Sequence, residues 1–348
     1  MAFKNELISW YRNNKRDLPW RNSTDAYLIW LSEIILQQTR VEQGTPYFLR
    51  FAEYYPTVKA FAEASEDDIL RLWQGLGYYS RGRNMLKTAK KVMADFGGIF
   101  PTAYTDLITL TGIGEYTASA IASFSANEPK AVVDGNVYRL LSRYFGISTP
   151  INSTEGKKVF QTLANEVLDI KNAGEHNQAM IEFGALQCKP KNPNCEICPF
   201  ITSCFAYKHQ QINELPVKLK KLKIRERHFQ FFIITNHKNQ LIIKRRSNND
   251  IWAGLYDLPS IEIEKIENVA PNFDKIEHWF KQMPVIKAIS DEVKHILTHQ
   301  KIFARAININ VDADDIIMQD GWLWVGFDEL ENYGMPKLIF DFLKKIIN

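Results

Sequence analysis

The four cysteines of this 348-residue chain all lie within 17 residues, as Cys188-x6-Cys195-x2-Cys198-x5-Cys204. Thiols grouped this tightly are most simply explained as ligands of one metal centre, and a [4Fe–4S] cluster is held by four cysteine thiolates. A four-cysteine zinc site usually has two close cysteine pairs, whereas here only Cys195 and Cys198 form one. Two disulfides or four free thiols agree less well with the grouping. The spacing therefore favours an iron–sulfur cluster.

A pair of glycines is suited to bind phosphate. Leu110–Ile121 places Gly112 and Gly114 two residues apart, directly before a helix of small residues. Glycine permits positive φ and close approach of the main chain to a ligand, and the free N–H groups of a helix N-terminus suit a phosphate oxygen. The pattern is equally typical of an ordinary corner between two helices. It resembles the helix–hairpin–helix element of DNA repair proteins, which holds the DNA backbone without reading its sequence.

Two carboxylates have surroundings suited to acid–base chemistry. Asp134 stands where a helix is expected to begin, and its ordinary role there is that of an N-cap. A helical glutamate such as Glu33 usually faces solvent. If apolar neighbours enclose it, they desolvate it and raise its pKa, as a general acid requires. The neighbours of Glu33 one helical turn away are Ile29, Trp30, Leu36 and Gln37.

Together these features resemble the endonuclease III-like superfamily of DNA glycosylases, in which the aspartate faces the sugar of an extruded nucleotide. The stretch Trp30–Thr39 closely resembles the signature of adenine DNA glycosylases, the MutY family, in which the glutamate that matches Glu33 is the catalytic acid. Other stretches similar to the MutY pattern extend the match over nearly the whole chain: Leu18–Arg21, Gly75–Tyr79 and Asn177–Ala185.

The resemblance implies a role for each matching residue. Glu33 protonates adenine at N7, and Asp134 opposes or transiently bonds the oxocarbenium-like sugar, while Asn136 and Tyr116 orient these groups. Bifunctional endonuclease III enzymes carry a Schiff-base lysine at the position of Tyr116, so strong lyase activity is not expected here. The remaining implied contacts are the adenine pocket, at Trp20, Arg21 and Glu182, and the DNA, at Gln38, Tyr78, Gly112 and Gly114.

The C-terminal half resembles the MutY recognition domain, which has a Nudix-like fold. The carboxylate set of the Nudix hydrolase box is absent, so this domain is expected to bind rather than to catalyse. Where the family has a Phe-Ser-His loop that contacts 8-oxoguanine, this chain has Leu297-Thr298-His299. Thr298 keeps the hydroxyl and His299 matches, but Leu297 lacks the aromatic ring. Thr111 replaces the usual proline of the hairpin, with little expected effect.

The elements that must position these residues differ between the two halves. Apolar residues of the first half recur at helical spacing, with N-cap candidates at Asp25, Ser65, Thr105 and Ser153. The predicted helices are Asp25–Gln38, Glu66–Leu76, Arg83–Phe96, Thr117–Ser125, Val137–Phe145 and Thr154–Ile170. In the second half, strands are predicted at Phe229–Thr235, Gln240–Lys244, Phe303–Val311 and Trp322–Val325, and helices at Lys275–Phe280 and Pro336–Ile347.

The predicted architecture is multidomain. An all-α helix–hairpin–helix glycosylase domain (1–208) carries the iron–sulfur loop (188–204), and a basic linker (209–226) leads to an α+β Nudix-like domain (227–348). Between Val217 and Arg227 there are six Lys and Arg residues and one Glu, which is typical of a solvated linker and secondarily of a phosphate-binding strip.

Bulk composition limits the class of protein. The chain is 45% hydrophobic and 24% charged, with a net charge of +3. No apolar run approaches the roughly 20 residues that cross a bilayer, and the N-terminus has no basic region followed by an apolar one. With a thiolate cluster, this predicts a reducing cytoplasm. We further expect a monomer that is associated with the nucleoid.

The resulting hypothesis is a monofunctional DNA glycosylase with one [4Fe–4S] cluster, acting in base excision repair. Its expected partner is double-stranded DNA in which adenine is mispaired with 8-oxoguanine or guanine. Tyr116 and the second domain disfavour an endonuclease III-like pyrimidine-lesion glycosylase/lyase. Glu33 and Asp134 together disfavour a non-catalytic iron–sulfur DNA-binding protein.

Overall fold

The computed structural model describes residues 2–219, 224–247, 251–265, 271–297 and 300–347. The chain divides into two compact units. The first comprises Met1–Glu63 and Asn84–Lys221, and the second comprises Ala64–Arg83 and Leu222–Asn348. A short segment of the helical half thus belongs to the unit that contains the C-terminal half. The predicted boundaries at 208 and 227 stay predictions.

The chain before residue 209 folds into α-helices, with 3-10 turns at Pro19–Arg21 and Ile170–Asn172. The helices are α1 Ala2–Asn14, α2 Ala26–Ile35, α3 Val41–Tyr54, α4 Val58–Glu63, α5 Glu66–Leu72, α6 Ser80–Asp95, α7 Tyr104–Leu107, α8 Glu115–Ala126, α9 Gly135–Phe145, α10 Thr154–Val167, α11 Ala173–Leu186 and α12 Phe205–Lys208. Helix α5 lies in the second unit, and α6 begins there and continues in the first.

Local capping explains where several helices begin. The side chains of Asp25, Ser65 and Ser153 accept hydrogen bonds from the main-chain N–H groups of Tyr27, Asp68 and Gly156, which satisfies donors that a helix start leaves without partners. These three predicted N-caps are confirmed. Thr105 was wrong as a cap: α7 has Ala103 at that position, and Thr105 lies inside the helix.

The core of the first unit forms where apolar stripes of its helices meet. Leu7, Val137, Leu141, Phe160 and Phe183 are all essentially inaccessible to solvent and belong to one cluster. Burial of each such side chain contributes about 1.5–3 kcal/mol. In this cluster the apolar faces of α9 and α11 meet, which fixes the helix that begins directly after Asp134. Within the described residues, no helix is long and apolar enough to cross a membrane.

The second unit is built on a mixed sheet. Its spatial order is β3-β2-β1-β7-β5, with β4 beside β1, β6 beside β7 and β8 beside β2. The strands are β1 Arg225–Thr235, β2 Gln240–Arg245, β3 Tyr256–Asp257, β4 Ser260–Ile263, β5 Val285–Ile289, β6 Val293–Ile296, β7 Gln300–Asn310 and β8 Trp322–Gly326, and α13 spans Lys337–Ile347.

The two faces of this sheet bury alternate residues of β1. Phe231 and Ile233 join a core that includes Phe342 of α13, whereas Phe232 and Ile234 join a second core around Trp279 and other aromatic and aliphatic residues. This follows from the period of two in a strand. Strands β1 and β7 run parallel, and the other recorded strand pairs are antiparallel.

The strand predictions at β1, β2, β7 and β8 are confirmed, as is the C-terminal helix. The predicted helix Lys275–Phe280 is wrong: this stretch lies in two 3-10 turns, Phe273–Lys275 and Glu277–Trp279. Strands β3, β4, β5 and β6 were not predicted. These strands are two to five residues long, too short for alternation to be visible.

Candidate active site

The first unit contains a cavity of about 460 Å³ that brings together residues from distant parts of the chain. All the predicted catalytic residues line it, as do two of the three predicted adenine-pocket residues: Glu33, Tyr116, Asp134, Asn136, Trp20 and Arg21. They come from α2, α8, the start of α9 and the 3-10 turn Pro19–Arg21. No lysine of the described residues lines this cavity.

Glu33 is the carboxyl group most affected by enclosure. It keeps partial exposure to the cavity, but surrounding protein removes most of its hydration. This desolvation raises the pKa of Glu33 to about 7, although a hydrogen bond with Tyr116 acts in the opposite direction. Burial likewise raises the pKa of Tyr116 well above its usual value. Near neutral pH, Glu33 is therefore able to donate a proton, with the Tyr116 hydroxyl as its neighbour.

Asp134 is at once a helix cap and a cavity residue. Its Oδ1 accepts hydrogen bonds from the main-chain N–H groups of Asn136 at 2.9 Å and Val137 at 2.8 Å, and its Oδ2 accepts one from Asn136 Nδ2 at 2.7 Å. Burial raises the pKa of Asp134, and these hydrogen bonds act against that shift. The cap holds the carboxylate in a fixed orientation at the cavity wall.

Glu182 lies elsewhere than its predicted role suggests. It is fully buried and is not among the residues that line the cavity. Its two oxygens accept hydrogen bonds from Arg16 Nε and Nη2 and from Arg21 Nη2, at 2.7–2.9 Å. Burial alone would raise the pKa of Glu182, but the hydrogen bonds from the two arginines lower it to about 2. Glu182 therefore holds Arg16 and Arg21, which line the cavity, although it does not line the cavity itself.

Arg139 and Gly184, which were not predicted as site residues, support the cavity wall at Asn136. Arg139 Nη2 donates to Asn136 Oδ1 at 2.8 Å and to Gly184 O at 2.7 Å, while its Nε donates to Cys188 O at 2.7 Å. A Cβ on Gly184 would lie 2.7 Å from Asn136 Cβ, so only glycine lets α11 approach so closely. The one signal in the sequence is a pair of arginines, at 139 and 143, one turn apart on α9.

The predicted DNA contacts of the first unit lie outside this cavity. Gly112 has a φ of 78° and lies against Asn84, where an added Cβ would be 2.9 Å from Asn84 Cβ. Gly114 is the N-cap of α8. Gln38 is exposed just after α2, with a φ of 55°. The left-handed conformation at Gly112 explains why glycine is needed in the hairpin.

The four cysteines line one small cavity together with apolar side chains. Burial raises the pKa of Cys198 to about 12 and also raises those of Cys195 and Cys204. Within the described residues, no group of three or more His, Cys, Asp or Glu side chains is arranged to hold a single metal ion. Four cysteine thiols on one small cavity match the donor set of a four-iron cluster.

Buried arginines brace the cysteine loop. Arg143 donates from Nη1 to Cys188 Sγ at 3.5 Å and to Lys189 O at 2.7 Å, and from Nη2 to Pro190 O at 3.1 Å. Arg143 is only 3% exposed. Its guanidinium therefore ties the first cysteine of the loop and the two residues after it to α9.

The second unit contains a cavity of about 480 Å³. Tyr78, Trp252 and Leu297 are among its lining residues, and Tyr78 is 42% exposed. The predicted recognition residues Thr298 and His299 lie outside the described residues. Leu297, the residue directly before them, is described. It lines this cavity together with Ile296, the last residue of β6.

Comparisons with known proteins agree with this arrangement. Residues 31–166 match the HhH-GPD superfamily of base excision DNA repair proteins, and residues 230–345 match the NUDIX domain. The adenine DNA glycosylase of Buchnera aphidicola (subsp. Schizaphis graminum) is 34% identical over 97% of this chain and 96% of its own length. The mouse adenine DNA glycosylase is 31% identical over 95% of this chain and 75% of its own.

Solved structures show the same fold for the helical part. A thermostable thymine-DNA glycosylase matches 60% of this chain and 96% of its own, with 26% identity and a TM-score of 0.56. An endonuclease III in a non-covalent DNA complex matches 60% of this chain and 95% of its own, with 20% identity and a TM-score of 0.52. With relatives above 30% identity over nearly its full length, the chain belongs to the adenine DNA glycosylase family of base excision repair enzymes.

Proposed function

We propose that the protein is a monofunctional glycosylase that hydrolyses the N-glycosidic bond of adenine mispaired with 8-oxoguanine or guanine in double-stranded DNA. One observation carries the proposal: a carboxyl group with a pKa of about 7, Glu33, lines the same cavity as a second carboxylate, Asp134. A proton donor and a negative charge on one cavity are the two groups that glycosidic hydrolysis requires.

The proposed reaction begins with the extrusion of the adenine nucleotide, because a base stacked in a duplex is out of reach of a buried acid. Glu33 then protonates N7 of adenine, which makes the base a better leaving group. Asp134 faces the oxocarbenium-like sugar that remains, and either stabilises its charge or bonds it transiently. Water completes the reaction and leaves an abasic site. Asn136 and Tyr116 keep the two carboxyl groups oriented through the hydrogen bonds described above.

The chemistry of the cavity supports the proposal that the enzyme lacks a strong lyase step. A lyase reaction through a Schiff base needs an amine, and Tyr116 has only a phenol. No lysine from the described residues lines the cavity. We propose that the enzyme stops at the abasic site.

The adenine pocket is proposed to use Trp20 and Arg21 directly and Glu182 indirectly. Trp20 is 8% exposed and packs edge-on against Phe48, with ring centroids 5.4 Å apart, so its indole is held rigidly. Arg21 lines the cavity while its Nη2 donates to Glu182. Glu182 would thus determine where the cavity's arginine donors point.

DNA binding is proposed to involve both units. In the first, the main chain at Gly112 and Gly114 would hold phosphate, and Gln38 would enter the duplex. In the second, Tyr78 would act as a wedge, and the cavity beside Leu297 would receive the base opposite adenine. Thr298 and His299 follow Leu297 directly in the chain, which supports their proposed contact with 8-oxoguanine.

We propose that Cys188, Cys195, Cys198 and Cys204 hold a [4Fe–4S] cluster. When bound, the cluster supplies iron–thiolate bonds that cross-link the loop 188–204, and hydrolysis of the glycosidic bond needs no electron from it. The residues of this chain do the rest: Arg139 and Arg143 tie the loop to α9, and Lys189 and Lys191 give it positive charge for DNA. We also propose domains at 1–208 and 227–348, and a monomer that works at the nucleoid in the cytoplasm.

A single-turnover assay tests the function. Duplexes carrying adenine opposite 8-oxoguanine or guanine should yield an abasic site without strand cleavage until alkali is added. A duplex with thymine glycol serves as the control and should stay intact. Release of the damaged pyrimidine with adenine untouched would contradict the proposal and favour the endonuclease III-like alternative, and no cleavage of any substrate would favour a DNA-binding protein.

A further inference from the structure

The turn that carries Tyr78 has an unusual main-chain conformation. Gly75, Gly77 and Tyr78 have φ angles of 99°, 71° and 48°. The two glycines adopt such angles without steric cost, but a tyrosine does so rarely and only where surrounding contacts impose it. Tyr78 nevertheless presents 42% of its surface to solvent. Contacts other than burial of its own ring must therefore hold the turn.

Arg81 supplies several of these contacts. Its Nη2 donates to Leu76 O at 3.3 Å and to Gly77 O at 3.2 Å, and its main-chain N–H donates to Tyr78 O at 2.9 Å. Trp73 Nε1 also donates to Gly77 O, at 3.0 Å. Three successive carbonyls of the turn are thus bound, each of them by Arg81. All these residues belong to the second unit.

The guanidinium of Arg81 also lies against two aromatic rings. Its central carbon is 5.0 Å from the ring centroid of Trp73 and 5.7 Å from that of Tyr78. These distances are within the range of cation–π attraction. Burial lowers the pKa of Arg81 to about 10, so the side chain remains charged at neutral pH. The positive charge therefore lies within the turn. A planar guanidinium can donate to neighbouring carbonyls and contact a ring face at the same time.

We propose that Arg81 is a positioning residue that imposes the left-handed conformation of Tyr78 and holds its exposed ring ready to contact DNA. The inference rests on the proposed DNA role of Tyr78, and it adds that Arg81 acts through Tyr78 rather than through a phosphate of its own. Its effect on DNA binding should therefore depend on the presence of the Tyr78 ring.

A double-mutant cycle tests this dependence. The wild type, Arg81→Met, Tyr78→Ala and the double variant are compared for dissociation constants, using a duplex with a non-cleavable adenine analogue opposite 8-oxoguanine. Arg81→Met should weaken binding about tenfold in the wild type and hardly at all in Tyr78→Ala, a coupling within the usual range for contacting residues. Arg81→Lys keeps the charge but loses the fork, so it should resemble Arg81→Met and provides a milder variant if that protein is unstable.

The salt dependence of binding separates this role from direct phosphate binding. Loss of a phosphate contact lowers the slope of log K against log salt by about one. The slope should stay unchanged for the Arg81 variants. Lys87→Met, on the exposed side of the same helix α6, is the matched control, and its effect should be independent of Tyr78. An equal loss on Arg81→Met with and without Tyr78, or a lower salt slope, would overturn the proposal.

Cleavage by the wild type keeps this result separate from the proposed function. If the wild type binds the duplex but releases no adenine, the proposed function fails, while the cycle, which measures binding only, still decides the role of Arg81. If the wild type cleaves adenine and Arg81 shows no coupling to Tyr78, only the inference about Arg81 fails.

Discussion

Two glutamates of the first unit, Glu33 on α2 and Glu182 on α11, are enclosed by protein and have opposite acid–base properties. The pKa of Glu33 is raised to about 7, and that of Glu182 is lowered to about 2. Desolvation raises the pKa of both. The difference comes from their partners: Glu33 has a neutral phenol beside it, whereas Glu182 accepts hydrogen bonds from two guanidinium groups.

The comparison shows that burial by itself does not make a proton donor. A buried carboxyl with cationic partners stays ionised and serves to position them, while one without such partners holds its proton near neutral pH. The carboxyl suited to acid catalysis is therefore the one that the fold leaves without a hydrogen bond from a cation.

Glu33→Gln should reduce the single-turnover rate of adenine release by about 10²- to 10⁴-fold, because the amide cannot donate the proton that the leaving base needs. Binding of the mismatch should be retained. The measurement is a single-turnover time course at saturating enzyme, together with a dissociation constant. A rate equal to that of the wild type would remove Glu33 from the mechanism.

Glu182→Gln should act mainly on stability, because it leaves Arg16 and Arg21 without a carboxylate in a buried site. We expect a loss of about 2–4 kcal/mol in the free energy of unfolding, below the upper range for broken buried pairs because Arg16 is 32% exposed. Urea denaturation measures it. Glu175→Gln, on the same helix and paired with the exposed Arg12, is the control and should cost less than about 1 kcal/mol. Equal losses of unfolding free energy in the two variants would show that the Glu182 ion pairs contribute no more to stability than a surface ion pair does.

The two glutamates should shift stability with pH in opposite directions. Glu33 binds its proton more tightly in the folded state, so its contribution is retained at low pH and lost as pH rises from about 4.5 to 7. Glu33→Gln should therefore gain about 1–3 kcal/mol relative to the wild type over that window. For Glu182, the stability is present above about 4.5 and is lost as pH falls towards 2. Unfolding curves at several pH values would reveal the two trends, and a Glu33→Gln difference that does not vary with pH would contradict the raised pKa.

The rate of adenine release should fall about tenfold per pH unit above about 7, as the acid form of Glu33 is depleted. Single-turnover rates between pH 6 and 9 on one duplex at constant ionic strength (~0.1 M) would provide the profile. The residual rate of Glu33→Gln should not fall in this way as the pH rises. A wild-type rate that stays constant up to pH 9 would exclude a proton donor with this pKa.

Residues that act on their immediate neighbours in sequence were predictable. Asp25, Ser153 and Asp134 cap helices through hydrogen bonds to N–H groups two or three residues ahead, and such contacts depend on side-chain type and local dihedrals alone. Gly112 belongs to the same class, since its need for a positive φ is a property of one residue. The prediction for Thr105 failed because competing starts one or two residues apart differ little in energy.

Residues whose roles depend on distant contacts were not predictable from pattern. Arg139 and Gly184 support Asn136 only because α11 packs against α9, across an interval of 45 residues between Arg139 and Gly184. The motif assigned Glu182 to the adenine pocket, but it gave no sign that the carboxylate is bound by Arg16, 166 residues away, and by Arg21. The short strands β3 to β6 are stabilised by their pairing with long neighbours rather than by their own sequences.

By itself, the sequence determined the residue types and the local geometry: the grouping of four thiols, the carboxylates at 33 and 134, the capped helix starts and the alternation of the long strands. Tertiary structure alone decided how far the pKa of each glutamate is raised or lowered, because desolvation and counter-charge are contributed by residues far apart in the chain. It also decided which unit Ala64–Arg83 joins and how closely α11 approaches Asn136. Local interactions are encoded in adjacent residues, whereas solvation and close packing exist only after distant segments meet.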